Sequence, residues 1–349
     1  PDQVRPRIFA ALATSWVVPG LVGPMVAGWV TEQLSWRWVF GGLAPFAALG
    51  GLLLLPSLRQ LRSGQARDVA DRSIGRLGWA VLTALGIAAI AGLGERQNGW
   101  SVLAAIAGVV AMLAGLRQLL PAGTVRFEAG VPAAIAYRGV AAAVFVGMEV
   151  LVPLTLTVQW HYSPTRAGLP LMLTALSWAA ASQLQGRMRQ PNRALLLASG
   201  MVFIAVAGLS MALVAAKLVP GWVAYLGWPV AGFGAGFALT SASVALLEYT
   251  TDAERGSNSA SLQLADSSLS AVSAAFSGAL VALAAQGRLS YGTSLSTAYV
   301  VLAVVALVAL VRTRQLRPPA HRTVADEPPG ADPMVCSPVE AVVPRAVSS

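Results

Sequence analysis

Residues 19–28 read Pro19-Gly20-Leu21-Val22-Gly23-Pro24-Met25-Val26-Ala27-Gly28, two prolines and three glycines inside a stretch that is otherwise apolar. Each proline removes a backbone donor and each glycine adds chain entropy, so such a cluster is poorly suited to a helix in water. In a bilayer, neighbouring helices re-satisfy the freed backbone groups, and small residues let two backbones approach closely. The cluster therefore points to a polytopic, all-α membrane protein. The rest of the chain agrees. Charged residues make up 11% of the 349 positions, against about 25% in an ordinary soluble domain, while hydrophobic residues reach 56%.

A helix needs about 20 apolar residues to cross the bilayer core. Ten runs meet that length, at 8–30, 36–56, 76–94, 100–120, 132–157, 166–185, 194–216, 221–247, 258–284 and 293–311. The runs at 166–185 and 258–284 carry several polar residues. The first run continues to full spanning length, so it is expected to be a retained span rather than a cleaved leader. Short links predict that successive helices pack as neighbours. The segment 313–349, with seven prolines and scattered charges, reads as a disordered tail.

The net charge of +9 is an orientation signal. If the chain start is cytoplasmic, 19 basic residues fall on the cytoplasmic side, counting Arg138 and the tail arginines. Five fall opposite, namely Arg37, Arg96, Arg166, Lys217 and Arg288. The positive-inside rule selects this topology, with both chain ends cytoplasmic in a multi-pass protein of the cell membrane. Nucleic-acid binding is a poor second explanation of the charge. Cys336 is the single cysteine and the two histidines, His161 and His321, lie far apart, so no thiolate or mixed metal site is predicted and no cofactor is expected.

Two carboxylates, Glu149 and Asp266, fall deep inside predicted spans. An ionised acid at the centre of a membrane helix costs about 2.5–3.5 kcal/mol on insertion scales, so each must face a cavity or a partner. Glu149 lies about 15 residues, roughly 22 Å, into its run and Asp266 about 8 residues, roughly 12 Å, into its own. They read as two stations at different depths. At about 100° per residue Arg138 and Glu149, eleven apart, project the same way. Gln263, Asp266, Ser270, Ser273 and Ser277 form one polar stripe. A carboxylate that alternates between a proton and a cationic substrate would couple proton flow to substrate movement. The plainer readings are that the serines pack and bond neighbouring helices, that Asp266 bonds a neighbouring helix, and that Arg138 snorkels to the interface. Trp160 and Trp222 sit at span ends as interfacial belt residues. Gly232-Phe233-Gly234-Ala235-Gly236 lies mid-span, follows no strand and lacks the Lys-Ser or Lys-Thr of a phosphate loop, so it reads as helix packing or a flexing gate.

Gly23, Pro24 and Gly28 stand where the antiporter signature of the major facilitator superfamily, G-x-x-x-G-P-x-x-G-G, has Gly, Pro and Gly. Pro19 and Ala27 stand where it has glycines, and Gly20 lies beside them. The following Trp36-Arg37-Trp38-Val39-Phe40 resembles the W-R-W-x-F stretch before the sixth helix in the fourteen-span drug:proton antiporter branch. The resemblance implies a partial major facilitator fold. Residues 1–56 would be the last two helices of the N-terminal bundle, and 57–131 a basic loop with two linker helices. Residues 132–312 would be a six-helix C-terminal bundle and 313–349 a cytoplasmic tail. Four further helices would precede Pro1, so the chain is expected to be a fragment. The family's G-x-x-x-D-R-x-G-R loop is absent, with a degenerate counterpart at Gln185-Gly186-Arg187-Met188-Arg189-Gln190. The resemblance also implies proton-coupled efflux of small amphipathic compounds by alternating access, with the bilayer, the substrate and protons as partners. A non-transporting remnant or partner subunit is the main alternative. A membrane-embedded enzyme would need clustered His, Asp or Glu at a membrane face, and only dispersed acids are seen.

Overall fold

The computed structural model describes residues 20, 22–61, 70–92, 99–188, 192–251 and 254–315. Pro19, the loop at 62–69 and residues 316–349 of the expected tail lie outside the described residues. The described chain is all-α. The helices are α1 (22–33), α2 (Trp36–Leu61), α3 (Ala70–Ala91), α4 (Gly99–Leu119), α5 (Val131–Glu149), α6 (Pro164–Arg187), α7 (Arg193–Ala215), α8 (Ala224–Tyr249), α9 (Arg255–Ala285) and α10 (Tyr291–Ala309). Among the described residues, six helical segments are long and apolar enough to cross a membrane, including Val131–Gln159 and Arg255–Ala285.

The boundaries follow local chemistry. Ser163 caps α6 by accepting the N–H of Arg166, and Pro164 occupies the first helical position, where a missing donor costs nothing. Asn192 and Ser290 cap α7 and α10 by accepting from Leu195 and Thr293. Gly123 and Gly287, at φ 86° and 71°, take left-handed turns that a side chain resists.

α5 stops at Glu149 and resumes as Leu151–Leu154, then widens into a π-helical turn over Thr155–Gln159. Pro153 explains the interruption. It has no N–H to offer the carbonyl of Glu149, four residues back, and its ring crowds that carbonyl. Local π adjustment takes up the mismatch.

The core lies where α5, α7, α8, α9 and α10 pack together, with α6 against α8. Its largest fully buried side chains include Trp228, Tyr137 and Tyr299. Trp228 stacks on Phe145 at 5.8 Å, and Trp178 meets Phe145 edge-on at 5.4 Å. The mid-span glycines of 232–236 bring backbones together, as the packing reading expected. A Cβ at Gly236 would stand 2.8 Å from the carbonyl of Trp178 on α6, and one at Gly234 would fall against Gly200 of α7. α3 and α4 form a hairpin in which Gly86 and Gly108 touch, and α3 rests on α9. No described side chain of α2 over Trp36–Pro56 is buried, with Phe46 at 74% and Leu53 at 71% exposure. A helix apolar all round belongs in lipid or against further protein.

Candidate functional site

Arg138, in the third turn of α5, is drawn inward and does not snorkel. Its Nε and Nη2 both reach Asp266 Oδ2 on α9, at 2.8 and 2.7 Å, and its Nη1 donates to the carbonyl of Leu239 and to Ser243 Oγ on α8, at 3.0 and 3.2 Å. The two side chains are only 20% and 17% exposed. One guanidinium thus ties three helices, using the fork of donors that suits arginine to a buried carboxylate. The expectation that Arg138 is an interfacial residue is corrected here, because a carboxylate on a neighbouring helix offers more than a distant interface does.

Glu149 has a different setting. It stands at the end of α5, immediately before the Pro153 break, and is half-buried. Its carboxylate has no hydrogen-bond or ion-pair partner among the described residues. The span Val131–Gln159 has its midpoint at Phe145, so Glu149 lies about 6 Å beyond it. Asp266 lies about 6 Å short of the middle of Arg255–Ala285, on the half nearer that helix's start. The two acids therefore occupy different depths, and only Asp266 is neutralised.

The polar stripe of α9 divides in the same way. Ser273 Oγ donates to the carbonyl of Ala143 at 2.6 Å and Ser277 Oγ to that of Gly147 at 2.7 Å, which stitches α9 to α5. A Cβ at Gly147 would fall 2.8 Å from Ser273 Oγ, so the glycine admits the serine. Ser270 Oγ is buried without a partner among the described residues. Gln263 is exposed and bonds Ser267 on its own helix at 3.3 Å. Ser273 and Ser277 thus have the packing role that was the plainer reading, while Gln263 stands apart from the pair.

The Gly/Pro cluster meets α6. A Cβ at Gly28 would stand 2.8 Å from Thr165 Cα, and one at Gly168 would stand 2.8 Å from the carbonyl of Pro24. Gly20 faces Ala175, while Gly23 meets nothing within 4 Å. Beside this seam lies a cavity of about 360 Å³ between α1, α2, the segment 151–159 that follows α5, and α6, lined in part by Pro24, Trp36, Phe40, Pro153, Thr157 and Leu171. Its hydroxyls are committed to backbone, Thr31 to Ala27 and Thr157 to Pro153. Trp160, expected in the interfacial belt, donates its indole N–H to the carbonyl of Val214, whereas Trp222 is 56% exposed.

Sequence reasoning missed two partners of the pair, Ser243 and the Leu239 carbonyl. They sit about 100 residues from Arg138 and carry no local signal. Pro153 was readable: a proline four residues after an intramembrane acid is the mark of a helix interrupted at that acid. Among the described residues no group of His, Cys, Asp and Glu is placed to hold a metal.

No family model matches the chain. It is similar to curated MFS-type transporters at low identity. The "Acurin A biosynthesis cluster MFS-type transporter" of Aspergillus aculeatus is 25% identical over 198 residues, covering 50% of this chain and 34% of the relative. The "Multidrug export protein EmrB" of Haemophilus influenzae is 25% identical over 204 residues, covering 54% and 38%. The "Probable transport protein HsrA" of the same organism is 27% identical over 206 residues, covering 54% and 42%. The matched segment therefore spans less than half the length of each of these relatives. A solved POT family transporter in complex with 5-aminolevulinic acid aligns at a TM-score of 0.44 and 13% identity, covering 81% of this chain and 55% of that one.

Proposed function

We propose that this chain is part of a secondary transporter that exports small amphipathic compounds in exchange for protons by alternating access. The observation that carries the coupling is the contrast between the two intramembrane acids. Asp266 is engaged by Arg138, whereas Glu149 has no partner among the described residues and sits at a helix break. A partnerless carboxylate in mid-membrane is suited to exchange a proton for a cation, since each form is stabilised by what the other state lacks. The Arg138–Asp266 pair then acts as a strut that holds α5, α8 and α9 in one body. The likeness to a multidrug export protein supports efflux of more than one compound. Residues 1–56 and 132–312 would belong to the two rocking bundles, with 57–131 between them.

Flux of a lipophilic dye in proteoliposomes carrying the full-length protein tests this. An imposed pH gradient is expected to drive accumulation, and Glu149→Gln to abolish the pH-driven component. Asp266→Asn is expected to lower the amount of folded protein more than the coupling of what folds. Full pH-driven flux in both variants would remove these acids from the mechanism. A non-transporting partner subunit would show no flux in any variant.

A further inference from the structure

The seam between α1 and α6 holds one contact that neither proton coupling nor helix packing uses. Glu32, at the end of α1, is fully exposed, yet its Oε1 accepts the main-chain N–H of Thr165 at 2.7 Å. Thr165 is the second residue of α6. N–H groups of a first helical turn have no acceptor within their own helix, and a carboxylate there also meets the positive end of the helix dipole. Pro164 has no N–H, and Ser163 Oγ takes that of Arg166. The remaining donor of this turn, Thr165, is thus capped from another helix 133 positions away. The backbones also touch here, at Gly28 against Thr165 and Gly168 against Pro24. α5 and α6 run in opposite directions, so this contact lies at the end of the bundle opposite Arg138 and Asp266.

We infer that Glu32 is a positioning residue, a carboxylate latch that holds α1 on the first turn of α6 and so keeps one end of the transport route closed. This rests on the alternating-access reading, in which α1 and α6 belong to different bundles and must part once per cycle. Close backbone contact supplies shape but little that a change of state can release. A single charge-assisted hydrogen bond can be made and broken cleanly.

Hydrogen bonding from Thr165, chiefly its main-chain N–H, holds the Glu32 carboxyl below its usual range. Charged side chains on the neighbouring elements are Arg37 on α2, which lies over the Trp36 ring, and Arg166 on α6, with His161 in the loop before it. Among the described residues none of them forms an ion pair with Glu32. A lowered value means that the contact is fully present at neutral pH and is lost as pH falls through the folded-state value, below the ordinary carboxylate range.

Pulsed EPR distances test this in the full-length protein in nanodiscs, with spin labels at Gln33→Cys and Arg166→Cys in a Cys336→Ser background. The parent is expected to show mainly the short distance at neutral pH and to gain a longer one when the pH falls to about 3. Glu32→Ala and Glu32→Gln are expected to populate the longer distance several-fold more at neutral pH, and Glu32→Asp to restore part of the short population. The Gln variant should no longer respond to acid. Unchanged distances in the Ala and Gln variants, or the same acid response in Glu32→Gln as in the parent, would overturn the latch. Glu149-dependent flux with unchanged distances would overturn the latch alone. Shifted distances with flux indifferent to pH would support the latch and overturn proton coupling.

Discussion

Arg138 and Glu149 stand eleven residues apart on α5, so one face of a helix carries a base and an acid with different surroundings. Arg138 gains a carboxylate, a carbonyl and a hydroxyl from two other helices. Breaking such a largely buried pair from one side leaves an uncompensated charge and costs about 3–5 kcal/mol. Replacing both partners with apolar residues of similar volume is close to neutral. Arg138→Met is therefore expected to destabilise strongly, and Arg138→Met with Asp266→Leu to recover most of the loss, measured by thermal unfolding in detergent. Both acids were legible in the sequence as costly intramembrane charges. Their difference was not, because pairing depends on which residues of α8 and α9 reach Arg138, and no spacing along α5 records that.

The elements follow local rules that a sequence displays well. Among the described residues, apolar runs of spanning length appear as helices, and Ser163, Asn192 and Ser290 cap the helices they precede. The glycines of 232–236 illustrate what local rules leave open. Their presence marked close packing, but their division between Gly200 on α7 and the Trp178 turn on α6 emerges only when three helices are laid together. Gly234→Val is expected to cost about 1–3 kcal/mol by forcing α7 and α8 apart, read from the same unfolding measurement. Pro153→Ala should restore the donor missing from α5. Slower amide exchange over residues 150–159 is the expected sign of a continuous helix, and unchanged exchange would mean that tertiary contacts impose the π turn.

At the scale of the whole molecule, the asymmetry of basic residues predicts which ends of the helices face the cytoplasm. In a Cys336→Ser background, Lys217→Cys is expected to react with an impermeant thiol reagent from outside the cell. Arg187→Cys is expected to react only after permeabilisation, and the reverse pattern would invert the topology. Resemblance in 19–28 and 36–40 and the similarity to MFS-type transporters point to the same class of protein. The sequence by itself determined that this chain is a set of membrane-length helices, where most of them start and stop, and which two acids stand inside them. These depend on hydrophobicity, length and capping, which are properties of consecutive residues. Only the tertiary structure decided that Asp266 is paired while Glu149 has no partner among the described residues, that Ser273 and Ser277 bond α5, and that Glu32 caps α6. Each of these contacts joins residues more than 100 positions apart, and in a bilayer the choice among neighbours is made by close fit between helices rather than by the hydrophobicity that put them there.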